Sequence, residues 1–200
     1  VMEKLKAIFR STRAKRAYEA GKQLLKHGFY TPLPLMYGVK KSFCLYTTNF
    51  LITTSADGEN TYKYFETRFP LPLSVDSFNE KRALIKTAGH EIGRLHRTGF
   101  FHGDLRVGNI IIQGKGSSAK FFIIDNERTI YCKSIPEKKR IKNLVQINMA
   151  RFPQITKSDR LRFLNAYISE NPLLLSSRED LIHKIHYLTE RRHYYKSIKS

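Results

Sequence analysis

A short polar segment near the middle of the chain carries residue types that could transfer a phosphoryl group. Residues 102–109 read His-Gly-Asp-Leu-Arg-Val-Gly-Asn, and the apolar segment 110–112 follows directly. A second apolar segment, 121–124, ends at Asp125. Phosphoryl transfer needs one carboxylate to hold the attacking hydroxyl, and an amide and a second carboxylate to hold Mg²⁺ against the phosphates of ATP. The order of these segments predicts that chemistry.

Three residues of the loop are the candidate catalytic residues. We expect Asp104 to orient the acceptor hydroxyl and to take its proton late in a loose transition state. Arg106 is expected to face the transferred phosphate and to offset its developing charge. His102 is expected to act as a scaffold that hydrogen-bonds the loop backbone, rather than as a proton carrier.

The predicted metal ligands are oxygen donors, which suit a hard cation such as Mg²⁺. Asn109 and Asp125 are the two principal candidates. Glu127 lies two residues after Asp125 and points to the same side if the backbone there is extended. It is therefore predicted to be either a further ligand or an acid behind the ligands.

The elements around the loop should bring these residues together. Segments 110–112 and 121–124 predict two strands joined by a turn at 115–118, which returns Asp125 to the loop. A helix from Ser77 to Thr98, capped by Ser77 with Glu80 at the capping-box position, should deliver the loop. Each motif alone could be a solvated turn, but that interpretation does not explain their order.

The N-terminal quarter predicts helices followed by strands. Leu5, Ile8 and Phe9 form one apolar stripe, and a helix from Arg13 to Lys26 should start at Ser11 or Thr12 and end at Gly28. Segment 31–35 is extended because of its prolines, and segment 41–54 predicts one or two strands. The basic block 10–16 is either a solvated helix face or a contact for phosphate or lipid headgroups.

The remaining elements are predicted to be mainly helical. After a short helix at 61–68, further helices are expected at 142–149 and 159–167. Ser177, with Asp180 at its capping-box position, should start a last helix that ends in the basic segment 191–196. We interpret that helix as closing the lobe, in preference to a dedicated lipid anchor, because cations suit a helix C-terminus.

Composition restricts the partners and the compartment. The 200 residues have a net charge of +19, which favours an anionic partner such as nucleic acid, an anionic membrane face or a phosphorylated substrate. Two distant cysteines, Cys44 and Cys132, fit a reducing compartment and exclude a disulfide framework. We expect no membrane span and no signal peptide.

Several segments together resemble the lipopolysaccharide kinase (Kdo/WaaP) family, whose members look like small protein-kinase-fold enzymes. The loop alone is shared with choline and aminoglycoside kinases, so the other segments narrow the resemblance. The matching features are the helix 11–28 followed by Thr31-Pro32, the loop 102–109, the strand ending at 124–128, the segment Lys142-Asn-Leu-Val-Gln146, and the segment 159–163 leading to Ala166-Tyr167.

The resemblance implies ATP-dependent phosphorylation of a heptose or Kdo hydroxyl in the inner core of bacterial lipopolysaccharide. It also implies peripheral action at the cytoplasmic face of the inner membrane, and the basic charge fits an anionic bilayer and a phosphorylated glycolipid acceptor. The expected fold is α+β and protein-kinase-like, with a reduced or truncated N-lobe at 1–55 and a mainly helical C-lobe at 56–200. A hinge is expected near 50–60.

The sequence departs from the kinase pattern in two places. Asn126 replaces the Phe that follows the metal-binding Asp in protein kinases, so no Phe-driven regulatory flip is expected. No Gly-rich loop or strand-borne Lys is visible, since Lys4 and Lys6 lie in a helical pattern. The chain is therefore either a fragment or a protein with a reduced N-lobe. Glu19 is a weak candidate for the acid that pairs with such a Lys near the nucleotide, and Ala17 occupies an equally plausible site.

Three other functions stay open. The kinase fold could phosphorylate a small alcohol or a protein, or it could be a pseudokinase that only binds an anionic partner. Loss of the N-terminal elements favours a pseudokinase, whereas retention of Asp104, Asn109 and Asp125 disfavours it. Specific nucleic-acid binding has little support, because no recognition motif accompanies the charge. The sequence does not indicate an oligomeric state.

Overall fold

A computed structural model describes residues 12–41 and 47–198 of the chain. It has the predicted α+β architecture, with few small sheets and a predominance of helix. The helices are α1 (Arg13–Lys26), α2 (Thr61–Arg68), α3 (Val75–Arg97), α4 (Glu137–Asn148), α5 (Lys157–Ser169) and α6 (Arg178–Ser197). Predictions on the stripe formed by Leu5, Ile8 and Phe9, and on Lys4 and Lys6, lie outside the described residues.

The strands of the described residues form three small antiparallel sheets. In the first, β1 (Pro34–Lys41) pairs with β2 (Thr47–Thr53). In the second, β5 (Ile110–Gln113) lies between β3 (Glu59–Asn60) and β6 (Lys120–Ile123). The third joins β4 (Phe100–Phe101) to β7 (Ile130–Tyr131).

The helix predicted from Arg13 to Lys26 is confirmed with both of its ends. The Thr12 hydroxyl accepts a hydrogen bond from the Lys15 amide, so Thr12 is the N-cap. Gly28 follows the helix with φ +74°, a left-handed conformation that glycine adopts without steric cost. The turn leads directly to Phe29, which is buried in the core.

One predicted helix cap is wrong, and a second has the right position without a capping bond. The helix that leads to the loop begins at Val75, and Ser74 is its N-cap, accepting from the Ser77 amide. Glu80 instead makes a paired contact with Arg68, with Nε to Oε1 at 2.7 Å. Ser177 is the N-cap residue of the last helix, as predicted, but its side chain makes no capping hydrogen bond.

The two helices after Asp125 are longer than predicted. The helix expected from Lys142 begins five residues earlier, at Glu137, because Pro136 can precede a first turn whose amides need no intrahelical partner. The helix expected from Asp159 begins at Lys157. Thr156 is its N-cap, and Asp159 completes a capping box as the third helical residue.

Helices α3 and α5 pack closely and carry much of the core under the loop. A Cβ atom added to Gly89 or Gly93 of α3 would collide with the backbone of α5, so glycine permits this close approach. A buried ion pair crosses the same interface, with Lys81 Nζ 2.7 Å from Asp159 Oδ2. Burial alone would raise the pKa of Asp159, but hydrogen bonds from Lys81 and Thr156 outweigh burial and lower it.

Within the described ranges, no helix combines the length and the apolar character needed to cross a bilayer. The longest helix that the structure describes, α3, has 23 residues, but charged side chains recur along it.

Candidate active site

His102 lies at the base of the loop and holds its backbone. The residue is 1% exposed, and Nε2 donates to the Ile124 carbonyl at 3.1 Å while the Asp104 amide donates to Nδ1 at 3.2 Å. Burial lowers the pKa of His102, although the bond to Ile124 and the charges of Asp125 and Asp104 oppose that shift. Such contacts suit a neutral imidazole that joins the loop to the residue that follows strand β6.

Asn109 links the same two segments at the other end of the loop. Its side-chain nitrogen donates to the Asp104 carbonyl at 2.8 Å, and its own carbonyl accepts from the Ile124 amide at 3.0 Å. The side-chain Oδ1 accepts no hydrogen bond from any residue that the structure describes. The backbone amide and carbonyl of Ile124 both bond to the loop. Ile124, which directly precedes Asp125, is therefore fixed against Asn109 and His102.

The Asp104 carboxylate is held from two sides. Gln146 of α4 donates to Oδ1 at 3.0 Å, and Arg106 Nε lies 2.8 Å from the same oxygen. The Arg106 side chain itself is 68% exposed, whereas that of Asp104 is 22% exposed. The loop therefore presents a partly covered carboxylate next to a solvent-facing cation.

Asp125 is presented differently, by its backbone. It adopts φ 60° and ψ 52°, a left-handed conformation that is uncommon for residues other than glycine. The next residue, Asn126, is buried and donates to the Thr31 hydroxyl at 2.9 Å and to the Ile123 carbonyl at 3.3 Å. This buried amide fixes the turn, and the exposed Asp125 side chain projects from it.

Glu127 lies among cations of α1 and of its own turn. Its carboxylate is 3.7 Å from Arg13 and 3.4 Å from Arg128, and Arg16 donates to its carbonyl at 3.1 Å. The extended backbone assumed in predicting its direction is wrong, because Asn126–Arg128 form a 3₁₀ turn. The part of the basic block that is described thus contacts the turn that carries Asp125.

A cleft of about 490 Å³ brings Asp125 and Glu127 to one surface, opposite α1 and β2. Ala17 and Gly21 are among the α1 residues that line it. Glu19 is not brought there: its side chain is 58% exposed and pairs with Lys15 on the same helix. Of the two α1 positions considered from the sequence, the structure brings Ala17 to the cleft.

The side chains fit a cation of the kind that ATP carries. Asn109 offers an amide oxygen and Asp125 an exposed carboxylate, which are hard donors. No group of three or more His, Cys, Asp or Glu side chains in the described segments is arranged to hold a metal ion. Magnesium in kinase sites needs few protein ligands, because phosphates and water supply the rest.

Two residues of α4 support the loop although no motif in the sequence predicts a role for them. Asn143 of α4 donates to the His102 carbonyl and to Gln146 Oε1, and Gln146 also accepts from the Leu105 amide at 3.2 Å. Both residues belong to the segment 142–146. That segment contributed to the family resemblance, so the sequence marked these residues but did not indicate what they do.

The family model "Lipopolysaccharide kinase (Kdo/WaaP) family" matches residues 2–167. The chain belongs to this family. It is accordingly an ATP-dependent phosphotransferase that acts on a sugar hydroxyl of the lipopolysaccharide core. A comparison with curated proteins finds no match.

A solved structure shares the fold of this lipopolysaccharide kinase. WaaP, solved in complex with acyl carrier protein, is 20% identical, with 89% of this chain and 76% of that chain covered and a TM-score of 0.71. The Rio2 kinase complex with ADP/Mg²⁺-phosphoaspartate from Chaetomium thermophilum is 16% identical. It has 90% and 54% coverage and a TM-score of 0.47.

Proposed function

We propose that Asp104 is the residue that orients the acceptor hydroxyl and accepts its proton. One observation carries the proposal: Ile124 bonds to both His102 and Asn109, so the turn bearing Asp125 is tied directly to the loop bearing Asp104. This arrangement can hold an acceptor and a nucleotide side by side, which is the main requirement of phosphoryl transfer.

Asn109 and Asp125 are proposed to hold Mg²⁺ with the phosphates of ATP, and Glu127 is a further candidate. Bound there, Mg²⁺ would neutralise charge on the phosphates. Arg106 is proposed to offset charge on the transferred phosphate. Its exposed guanidinium already lies beside Asp104, so a small side-chain rotation would bring it to an incoming phosphate.

The proposed acceptor is a heptose or Kdo of the inner core, reached at the cytoplasmic face of the inner membrane. The net charge of +19 supports this location, because each Lys or Arg near an anionic leaflet contributes about 1 kcal/mol of attraction. A peripheral location also suits the exposed cations and tyrosines of α6, such as Arg191 and Tyr194.

Two variants test the catalytic proposal on core lipopolysaccharide with Mg·ATP. Asp104→Ala should lower kcat by about 10²–10⁴-fold, and Asp125→Ala should abolish Mg²⁺-dependent ATP binding in a calorimetric titration. Asp76→Ala, at an exposed helix terminus, is the matched control. Turnover of Asp104→Ala at the parent rate would end the assignment of this residue, and unchanged Mg·ATP affinity would end that of Asp125.

Vesicle binding tests the proposed location. Vesicles with anionic lipid should pull down the chain at low salt and release it at high salt, because exposed charges are screened. Reversing the charges of Arg191, Arg192 and Lys196 should weaken vesicle binding. These positions are chosen because the α1 cations contact Glu127 and are better left intact. Equal binding to neutral and anionic vesicles would contradict an electrostatic attachment.

We further propose that this chain binds an acyl carrier protein through an acyl chain, a partner suggested by the WaaP complex. A cavity of about 440 Å³ supports this, since packed interiors rarely leave voids much larger than a water molecule. Leu84, Ile92 and Leu144 are among its apolar lining residues, and exposed Lys157 and His186 place one end at the surface.

Titration with loaded and unloaded acyl carrier protein tests this partner. The acylated form should bind at least about tenfold more tightly, because the chain buries apolar surface that the unloaded form lacks. Ala88→Phe, which fills the cavity lining, should remove that difference. Equal affinity of both forms for the parent chain would exclude the cavity as an acyl site.

A further inference from the structure

A chain of side-chain hydrogen bonds runs through the interior toward the Asp104 carboxylate. At its far end, Arg140 Nη1 donates to the Tyr167 hydroxyl oxygen at 2.8 Å. That oxygen lies 2.7 Å from His96 Nδ1, and His96 Nε2 lies 3.1 Å from Asn143 Oδ1. Helices α3, α4 and α5 each contribute to this half of the chain.

The near end joins Asn143 to the catalytic loop through Gln146. Asn143 Nδ2 is 2.9 Å from Gln146 Oε1, and Gln146 Nε2 is 3.0 Å from Asp104 Oδ1. Backbone groups fix the orientation of both amides. The His102 carbonyl accepts from Asn143 Nδ2, and the Leu105 amide donates to Gln146 Oε1. Each amide therefore turns its NH₂ group toward the loop.

The donors in this chain all point the same way. Burial lowers the pKa of His96 to about 4, so its imidazole is neutral, and burial raises the pKa of Tyr167 to about 12, so its phenol keeps its proton. Arg140 can only donate. The Tyr167 hydroxyl must then donate to His96 Nδ1, and Nε2–H must donate to Asn143. A guanidinium lies at one end of the series and the Asp104 carboxylate at the other.

We propose that Gln146, supported by this chain, is a positioning residue for phosphoryl transfer. It holds Asp104 Oδ1, the same oxygen that Arg106 contacts from the solvent side. It leaves Oδ2, which accepts no hydrogen bond within 12–41 and 47–198, for the acceptor hydroxyl. The inference rests on the proposed role of Asp104 and states which of its oxygens acts.

The physical basis is the cost of a misplaced catalytic group. A base that is out of place by about 1 Å can lose about 10²-fold in rate, so the orientation of Asp104 affects kcat directly. Hydrogen bonds in series polarise one another, which strengthens the last bond of the chain. If Gln146 had a purely structural role, its substitution would lower stability without a selective loss of kcat.

Two substitutions at Gln146 separate these possibilities. Gln146→Met keeps the length of the side chain and removes its donor, so kcat should fall by about 10–100-fold while the KM for ATP stays within about twofold. Gln146→Glu keeps an oxygen for Leu105 and places a second one against Asp104 Oδ1, and it should lower kcat at least as far. Thr189→Val is the control, because it removes a buried hydroxyl that accepts from Asn148 of the same α4.

Asp104→Ala, measured in parallel, separates the positioning role of Gln146 from the proposed role of Asp104. An inactive Asp104→Ala with a fully active Gln146→Met would overturn the positioning role alone. A fully active Asp104→Ala would overturn the proposed role of Asp104 itself.

Tyr167→Phe provides a second test if Gln146→Met folds poorly. It deletes one hydroxyl at the far end of the chain and keeps the ring, so kcat should fall by about threefold with the KM for ATP unchanged. An unchanged kcat in this variant would show that the chain does not extend its influence from α5 to the loop.

Discussion

The two carboxylates at the centre of the site are held in opposite ways. Asp104 is 22% exposed and shares one oxygen between Gln146 and Arg106. Asp125 is exposed, and its carboxylate has no hydrogen-bond or ion-pair partner among the described residues. The first is oriented by contacts with its side chain, and the second by a left-handed backbone and a buried neighbour, Asn126.

The difference follows from what each carboxylate must do in the proposed mechanism. A base has to be oriented before the acceptor arrives, because orientation contributes directly to the rate. A metal ligand gains its partner only when Mg·ATP binds, so a free, solvated carboxylate costs nothing beforehand. Substitutions below the loop should therefore reduce stability, whereas substitutions at Asp125 should not.

Acid titration should give the largest effect, through the buried support of Asp104. Burial lowers the pKa of His96 from 6.5 to about 4, so the unfolded chain binds a proton there that the folded chain does not. The free energy of unfolding should be undiminished above pH 6.5 and fall by up to about 3 kcal/mol as the pH decreases to about 4. Urea denaturation across this range measures the fall.

Comparison with His96→Asn isolates the contribution of that residue. The variant should lose the corresponding part of the pH dependence, while His102, whose pKa is also lowered, keeps its own part. An identical slope in both proteins would show that His96 does not titrate between its folded and unfolded values.

Asn143→Ala should produce the next largest effect. It leaves the His102 carbonyl and the His96 Nε2–H group buried without a partner, which should cost roughly 1–3 kcal/mol of stability. Asn165→Ala, at an exposed amide bonded to Arg178, should cost less than about 0.5 kcal/mol. Similar losses in the two variants would contradict a special role for the buried amide.

Asp125→Gly should raise stability, whereas the preceding substitutions lower it. Glycine adopts φ 60° without steric cost, so the free energy of unfolding should rise by up to about 1 kcal/mol while Mg·ATP affinity is lost. Asp125→Ala is the matched control, since it removes the carboxylate and keeps the Cβ atom. A gain in stability for the alanine variant would assign the effect to charge instead of backbone strain.

Glu19→Gln should have the smallest effect. Among the described residues its side chain forms only an exposed pair with Lys15, at 3.7 Å, so stability should change by less than about 0.5 kcal/mol. The KM for ATP should also stay unchanged, because Glu19 does not line the cleft that Asp125 faces. A several-fold rise in KM would restore Glu19 as a nucleotide-site residue.

Local signals in the sequence predicted much of the fold. The helix Arg13–Lys26, the short helix Thr61–Arg68 and the kinase-like class are confirmed, because apolar spacing and turn residues act within a few positions. Helix caps were predicted less accurately. Ser74 and Ser77 both suit the start of α3, and Glu80 pairs with Arg68, which lies twelve residues away in the sequence.

The sequence by itself determined the family, the α+β class and the candidates Asp104, Asn109 and Asp125, because those residues lie in contiguous motifs with fixed spacing. Only the tertiary structure decided what surrounds them. Gln146 reaches Asp104 across 42 positions, and Tyr167 reaches His96 across 71. Such contacts depend on how helices pack and not on any local pattern, so they could be found only once α3, α4 and α5 were in place.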